Sequence, residues 1–172
     1  MEPILLKLRV NGEDVAVATP PHFSLLEVLR YRLDLIGSKQ GCDKGDCGAC
    51  TVQLDGKPVC SCITLAAACE GRDVKTVEGL TGGELHPLQD SFDRHVAAQC
   101  GFCTPGILMS AEALIRESRR KVTREEAAAA LAGNLCRCTG YTKILDAVVE
   151  ASERMTNVGA GDSERTDIGK VG

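Results

Sequence analysis

Eight of the ten cysteines in this 172-residue chain fall into two compact sets, and the sets constrain the fold more than any other feature. The first set has the C-x4-C-x2-C spacing with a more distant fourth member that is typical of a plant-type [2Fe–2S] cluster: Cys42, Cys47, Cys50 and Cys62. The second set consists of two short pairs: Cys100 with Cys103, and Cys136 with Cys138. Four thiolates in each set predict two iron–sulfur centres, and hence an electron carrier.

Other uses of these cysteines fit the spacing less well. Structural zinc usually takes two C-x2–4-C knuckles, whereas one set here has an extra arm and the other has a C-x-C pair. A Rieske centre is excluded because no histidine lies among the cysteines. Taken alone, Cys100 and Cys103 resemble a thioredoxin-type pair, but that interpretation needs a βαβ context, and this half of the chain has no strand pattern.

Composition narrows the class of partner. With 24 acidic and 20 basic residues the formal net charge is −4, which argues against binding to a nucleic-acid backbone. The absence of tryptophan, with two tyrosines and three phenylalanines, leaves little surface for base stacking. No apolar run approaches the roughly 20 residues that span a bilayer, and the N-terminus lacks the pattern of a secretory signal. We therefore expect a cytoplasmic metal-binding protein without a transmembrane segment.

The first half of the chain has the pattern of short strands joined by tight turns. Alternating apolar residues flank Asn11-Gly12 and Asp55-Gly56, two dipeptides that favour two-residue hairpins. Ser24 precedes a helical pattern, and the loop that carries the first cysteines follows it. Two strands, a helix, a cysteine loop and further strands predict a ferredoxin-like β-grasp domain over residues 1–78.

The second half has a helical pattern. Thr104 and Pro105 predict a helix start with Thr104 as the cap, and residues 123–126 form a capping box before an alanine-rich helix. Further helices are expected at the start of this half and from about Thr142, and each cysteine pair comes directly before a helix. The predicted fold class is α+β, a plant-type ferredoxin β-grasp domain followed by a C-terminal four-helix bundle.

The predicted domain boundaries follow from these patterns. Residues 79–86 are rich in glycine and turn residues and are expected to be a linker. The helical domain is predicted at residues 87–156. Residues 157–172 are polar and without periodicity, so a disordered tail is predicted there.

Three segments resemble the iron–sulfur subunit of the molybdenum hydroxylases, the xanthine oxidase family: residues 41–52, 99–106 and 133–141. That family includes bacterial carbon monoxide dehydrogenase, aldehyde oxidoreductases, N-heterocycle dehydrogenases and 4-hydroxybenzoyl-CoA reductase. The resemblance implies one [2Fe–2S] cluster in each domain. It also implies a complex with a large molybdopterin-binding subunit and a medium FAD-binding subunit, assembled as a dimer of heterotrimers, with the pterin expected as the cytosine dinucleotide.

The resemblance further implies a role for individual residues. The cluster of the β-grasp domain, nearer the flavin, would be held by Cys42, Cys47, Cys50 and Cys62. The cluster of the helical domain, nearer the molybdenum, would be held by Cys100, Cys103, Cys136 and Cys138. Gln99 matches the family glutamine whose amide contacts the pterin, and Cys138 matches the ligand closest to the pterin edge.

Two cysteines lie outside these sets. The family interval of eleven residues after Cys50 selects Cys62 rather than Cys60 as the fourth ligand, and we expect the Cys60 side chain to face away from the cluster loop. Cys69, among alanines, is interpreted as a small buried apolar residue.

The sequence contains no constellation of base, nucleophile and substrate pocket, so substrate chemistry is expected on another subunit. The chain would relay single electrons between the molybdopterin and FAD subunits of a molybdenum-dependent hydroxylase or dehydrogenase. The substrate stays open among aromatic acyl-CoA thioesters, N-heterocycles, aldehydes and carbon monoxide. Two other classes also stay open: a freestanding two-cluster ferredoxin, and a zinc-stapled interaction module without redox activity.

Overall fold

The first half forms a five-stranded mixed sheet. The computed structural model describes residues 2–161, with side chains to residue 156. The strands are β1 (Ile4–Val10), β2 (Glu13–Thr19), β3 (Thr51–Leu54), β4 (Lys57–Cys60) and β5 (Asp73–Lys75). They lie in the order β2-β1-β5-β3-β4, in which β1 and β5 are parallel and the other neighbouring pairs are antiparallel.

Both predicted hairpins are confirmed. Asn11 and Gly12 have φ angles of 52° and 87°, and Asp55 and Gly56 have φ angles of 49° and 79°. Positive φ at both central residues is the turn geometry whose twist matches that of the flanking strands. These local turns fix the pairing of β1 with β2 and of β3 with β4.

One helix packs on this sheet. Helix α1 (Leu25–Tyr31) begins at a capping box in which Ser24 and Glu27 satisfy each other's backbone N–H groups. Its apolar face, with Leu25, Val28 and Leu29, lies in one core with the buried residues of β1 and β3. Short 3₁₀ helices follow at Ala66–Cys69 and Val77–Leu80. The α+β class is confirmed.

Four helices make up the second half: α2 (Pro87–Arg94), α3 (Thr104–Ser118), α4 (Arg124–Ala130) and α5 (Thr142–Gly161). They share a second core that includes Leu88, Ile107, Leu131 and Ile144. The capping box of Thr123 and Glu126 is present. The cap predicted at Thr104 is wrong, because Thr104 is already helical and Cys103 occupies the cap position without a side-chain hydrogen bond.

The C-terminal helix extends beyond its expected end. Helix α5 runs to Gly161, five residues into the segment predicted as a tail, and the rest of that segment lies outside the described residues. Within residues 2–161, no helix is both long and apolar enough to cross a membrane.

Strand β3 joins the two halves. All four of its residues are buried. Val52 and Leu54 face the core shared with α1. On the other face the Gln53 side chain donates to the carbonyl oxygen of Met109 in α3 at 2.9 Å. Because side chains alternate along a strand, this burial of both faces means that α3 covers the side of the sheet opposite α1.

Candidate metal centres

The first three cysteines lie in a long loop between α1 and β3, which contains no helix or strand. The backbone N–H of Cys47 points at the Cys42 sulfur, with an N–S distance of 3.4 Å. Hydrogen bonds from the backbone N–H of Lys44, and then of Cys47, lower the pKa of the Cys42 thiol to about 7. The loop therefore already presents amide donors to a thiolate.

The fourth cysteine of this set reaches the loop from the end of β4. Ser61 is fully buried, and its hydroxyl donates to the carbonyl oxygen of Cys50 at 2.7 Å. Burial, and then contact with the Cys50 thiol, raises the pKa of Cys62 to about 12. The structure thus brings Cys62 beside Cys50, as the spacing predicted.

The second set comes together from two segments 33 residues apart, one directly before α3 and the other before α5. The sulfurs of Cys100 and Cys138 lie 3.6 Å apart. Burial, and then contact with the Cys136 thiol, raises the pKa of Cys103 to about 12. At Cys136 burial raises the pKa, but hydrogen bonds from the Thr139 side chain and backbone N–H outweigh it, so the pKa is lowered.

Tyr141 holds the segment of the second cysteine pair in place. Its hydroxyl accepts from the backbone N–H of Cys136 at 2.8 Å and donates to the carbonyl oxygen of Asn134 at 2.9 Å. These bonds close the turn that precedes α5. The Tyr141 hydroxyl therefore helps to position the Cys136 and Cys138 pair by binding the backbone of its own loop.

The sulfurs of both sets meet in pairs. The contacts join Cys42 with Cys47, Cys50 with Cys62, Cys100 with Cys138, and Cys103 with Cys136, and the Cys60 thiol also contacts that of Cys50. Four thiolates on one tetrahedral zinc ion, with Zn–S of about 2.3 Å, would all lie about 3.8 Å from one another. Within residues 2–156, no three cysteine, histidine or carboxylate side chains converge in that way. Two pairs per set fit a two-iron cluster, in which each iron takes two thiolates.

The second site is open at one end. Cys100 and Cys138 are exposed, whereas Cys103 is buried against the core of the helices. Gln99, directly before Cys100, is exposed. Phe102 leaves 47% of its surface in contact with solvent. The open end therefore combines two sulfurs with a side-chain amide, whereas the Phe102 ring lies towards the first cysteine loop, 3.4 Å from the position of a Gly41 Cβ.

The two sites touch each other, which the sequence patterns did not indicate. The backbone N–H of Leu135 donates to the carbonyl oxygen of Cys47 at 2.9 Å. Leu135 directly precedes Cys136, so one hydrogen bond joins a residue of the first set to the neighbour of a residue of the second. The buried Asn134 side chain adds a bond of 3.0 Å from its Nδ2 to the carbonyl oxygen of Gly48.

Close backbone approach makes this contact possible. A Cβ atom on Gly106 of α3 would lie 2.3 Å from the Gly48 carbonyl oxygen. A Cβ atom on Gly48 would lie 2.3 Å from the carbonyl oxygen of Gly133. Both distances are too short for a real carbon atom, so glycine is required at each position. These glycines were the available sequence signal, but a sequence does not tell which glycines face each other.

The prediction for Cys60 is wrong, and that for Cys69 is confirmed. The Cys60 sulfur lies 3.7 Å from the carbonyl oxygen of Gly45, within the cysteine loop. The Cys60 thiol, like that of Cys62, contacts the Cys50 thiol, so both side chains face the cysteine loop. Cys69 is fully buried in the core of the sheet domain.

Two family models together match most of the chain. The model described as "2Fe-2S iron-sulfur cluster binding domain" matches residues 8–81, and the one described as "[2Fe-2S] binding domain" matches residues 76–149. The chain therefore has a ferredoxin-like [2Fe–2S] domain followed by a second [2Fe–2S]-binding domain.

Whole-chain relatives agree with this division. The chain is 49% identical over 152 residues to the nicotine 6-hydroxylase small subunit of Paenarthrobacter nicotinovorans, covering 88% of this chain and 92% of that protein. It is 42% identical over 154 residues to the xanthine dehydrogenase iron-sulfur-binding subunit of Escherichia coli O157:H7, covering 88% and 96%. A chain of quinoline 2-oxidoreductase from Pseudomonas putida 86 superposes with a TM-score of 0.88 at 42% identity, over 92% of this chain and 99% of that one. The chain belongs to the family of small iron–sulfur subunits of the molybdenum hydroxylases, in which it transfers electrons through two [2Fe–2S] clusters.

Proposed function

We propose that this chain relays single electrons between a molybdopterin-binding subunit and an FAD-binding subunit. The observation that carries the proposal is the contact between the two cysteine sets through the Leu135–Cys47 hydrogen bond. A [2Fe–2S] cluster supplies the ability to hold one extra electron. The contribution of the chain is to hold two such groups at a fixed separation and to exclude water from between them.

The proposed ligands are the eight paired cysteines. One cluster is held by Cys42, Cys47, Cys50 and Cys62, and the other by Cys100, Cys103, Cys136 and Cys138. The pairwise sulfur contacts and the amide donors at Cys42 support this set. Amides directed at the sulfurs stabilise the reduced cluster, whose extra electron adds negative charge, and so tune its potential.

The helical-domain cluster is proposed to face the molybdopterin. Cys100 and Cys138 are exposed, so the cluster edge on that side can approach a partner without a conformational change. Gln99 is exposed beside them and is proposed to contact the pterin through its amide. The β-grasp cluster then faces the FAD subunit.

The domain boundaries remain part of the proposal. We propose a β-grasp domain over residues 1–78, a linker over 79–86 and a helical domain from residue 87 to the end of α5 at Gly161. The two separate cores support two domains. Helices α2 to α5 share the second core, which supports their arrangement as a four-helix bundle.

The substrate chemistry is proposed to lie on the large subunit, with the pterin as the cytosine dinucleotide. Relatives are named for nicotine, nicotinate and quinoline, so an N-heterocycle is the substrate class that we propose for the complex. The proposed assembly is a cytoplasmic dimer of heterotrimers with large and medium partners.

Low-temperature EPR of the dithionite-reduced native complex tests the proposal, with iron and molybdenum measured on the same sample. We expect two distinct [2Fe–2S] signals, about four irons per copy of this chain and co-purifying molybdenum. A single signal, or zinc in place of iron, would contradict the two-cluster assignment. Two signals from a chain that purifies without molybdenum would instead favour the freestanding ferredoxin.

A further inference from the structure

A fifth sulfur lies beside the first cysteine set. Cys60 is the last residue of β4 and pairs with Thr51, the residue that follows Cys50. Its thiol donates to the carbonyl oxygen of Gly45, in the middle of the loop between Cys42 and Cys47, at 3.7 Å. The site thus contains one more thiol than a four-thiolate cluster uses.

Hydrogen bonds from Ser61 hold the segment of Cys60 and Cys62 against Cys50. Ser61, between them, is tied to the Cys50 carbonyl oxygen by its backbone N–H at 3.4 Å and by its hydroxyl at 2.7 Å. The chain turns directly after Cys60, because the Ile63 backbone N–H donates to the Cys60 carbonyl oxygen at 3.3 Å. Each of the two thiols contacts the Cys50 thiol.

The hydrogen bond from the Cys60 thiol to the Gly45 carbonyl oxygen is weak. An S–H group is a poor donor, so its bond to the Gly45 oxygen is given up at low cost. A Cβ atom on Gly45 would lie 2.8 Å from the Ile63 side chain. This close contact holds the loop against the Cys60–Ile63 segment. A change at residue 62 therefore leaves the loop within reach of Cys60.

We propose that Cys60 is a reserve ligand of the β-grasp cluster, which binds the iron paired to Cys50 when the Cys62 thiolate is missing. This inference rests on the proposed ligand set. The exchange is a substitution without a redox step: the iron–sulfur bond to residue 62 is absent, one to the Cys60 sulfur forms, and the Cys60 proton passes to solvent. Iron and sulfide are supplied as for the unaltered chain.

The test compares three variants in the purified complex: Cys62→Ala, Cys60→Ala and the double variant. The readouts are iron per chain, visible circular dichroism and the EPR signal of each cluster, none of which depends on turnover. We expect Cys62→Ala to keep about four irons and both signals, with the β-grasp signal altered in g values. The double variant is expected to keep about two irons and only the helical-domain signal, and Cys60→Ala to match the unaltered chain.

The outcomes separate the reserve ligand from the ligand set on which it rests. If Cys62→Ala loses the same two irons as the double variant, Cys60 is not a reserve ligand and the ligand set stands. If the double variant keeps both clusters, the ligand set itself is wrong, and if Cys60→Ala alone loses a cluster, Cys60 is the ordinary ligand. The helical-domain signal reports folding in the same samples. Should Cys62→Ala not assemble, Cys62→Ser with and without Cys60→Ala gives the same comparison, since oxygen ligation has a distinct visible spectrum.

Discussion

At Gly48 two constraints coincide in the middle of the first cysteine loop. The backbone has a φ angle of +68°, and a Cβ atom would lie 2.3 Å from the Gly133 carbonyl oxygen. We predict that Gly48→Ala lowers the free energy of unfolding by more than the roughly 1–2 kcal/mol of a left-handed alanine, because the loops must also separate. Thermal unfolding and iron content of the complex measure both effects.

Gly71→Ala is the matched control for this substitution. Gly71 has a similar φ of +72°, but nothing lies within 4 Å of its Cβ position. It should lose only the backbone contribution and keep all its iron. Equal losses in the two variants would mean that contact between the loops adds nothing at Gly48.

At the scale of residues, the sequence indicated chemistry better than orientation. The cysteine sets were predictable because ligand spacing along a loop is a local property. The direction of Cys60 was predicted wrongly, because β4 ends at Cys60 and the chain turns there, so the side-chain alternation of a strand does not apply to residues 60–62. The facing of Gly48 and Gly106 could not be predicted, because it depends on how two distant segments dock.

Between β3 and α3 lies a polar cluster in which the buried Gln53 and Glu112 contact the partly exposed Lys75 and the exposed Arg116. The Glu112 side chain is 6% exposed and lies 3.1 Å from the Lys75 ammonium group. The Gln53 amide donates to its second oxygen. Burial raises the pKa of Glu112, but the bond from Gln53 and the charge of Lys75 outweigh it, so the pKa is lowered.

We predict that Glu112→Gln lowers the free energy of unfolding by about 1–3 kcal/mol at pH 7, because a buried charged hydrogen bond is lost. A lowered carboxylate pKa contributes stability above the pKa of the unfolded chain, and this stability is lost as the pH falls through the folded value. The unaltered chain should therefore lose more stability than Glu112→Gln as the pH falls below 4.5, the ordinary pKa of a glutamate carboxyl. Urea unfolding of the iron-loaded chain across this range measures the difference.

Glu117→Gln provides the comparison on the same helix, since Glu117 is exposed. It should follow the unaltered chain at every pH. If the stability of Glu112→Gln also follows that of the unaltered chain at every pH, the polar cluster does not contribute to the contact between β3 and α3.

At the scale of elements, local signals were reliable where the sequence itself supplies the partner. Hairpin dipeptides and capping boxes contain both members of the interaction, so α1, α4 and the two hairpins were predicted. The start of α3 was displaced by one residue, because Cys103 takes the cap position by backbone geometry alone. Burial of both faces of β3 was not predictable, because polar residues such as Thr51 and Gln53 usually face solvent in a strand. Only the packing of α3 against the sheet buries them.

Across the whole molecule, Asn134 connects the two cysteine loops. Its Nδ2 donates to the Gly48 carbonyl oxygen and to the Thr51 hydroxyl at 3.0 and 3.1 Å, and its Oδ1 accepts from Ser110 at 2.7 Å. We predict that Asn134→Ala weakens the magnetic interaction between the two reduced clusters, because their separation is no longer fixed. Splitting of the EPR signals at low temperature measures this interaction.

A buried serine elsewhere controls for a general loss of stability. The Ser152 hydroxyl accepts from the Val122 backbone N–H at 3.0 Å, away from both cysteine sets. Ser152→Ala should lower stability without changing the splitting. A change of splitting in both variants would argue that any destabilisation loosens the clusters, and not Asn134 in particular.

Iron removal tests what the clusters contribute to the fold. Residues 32–50 and 132–141 contain no helix or strand, and the buried residues of the two cores come from other segments. Metal binding supplies folding free energy where few other contacts exist. We predict that chelation increases amide hydrogen exchange in these two loops by at least about tenfold, while β1 and α3 stay protected. Uniform loss of protection would instead show that the clusters hold the whole fold together.

The docking of the two halves also limits what a sequence alone reveals at this scale. Two cysteine sets predicted two domains, but each pattern was complete within its own half. Two of the contacts between the halves are accepted by the backbone oxygens of Cys47 and Gly48, and every residue type has such an oxygen, so the sequence does not identify them.

Because both faces of β3 are covered, the two halves of such a chain are expected to remain together in evolution. Helix α3 of the helical half covers one face of the sheet. If the chain were cut near residue 80, the N-terminal half would therefore expose Thr51 and Gln53 to water. In the helical half, Glu112 would lose its hydrogen-bond partners. The two cluster-binding domains therefore form a single structural unit. Gene fusion, subunit exchange or engineering can move the pair, but splitting it would require a new surface for β3.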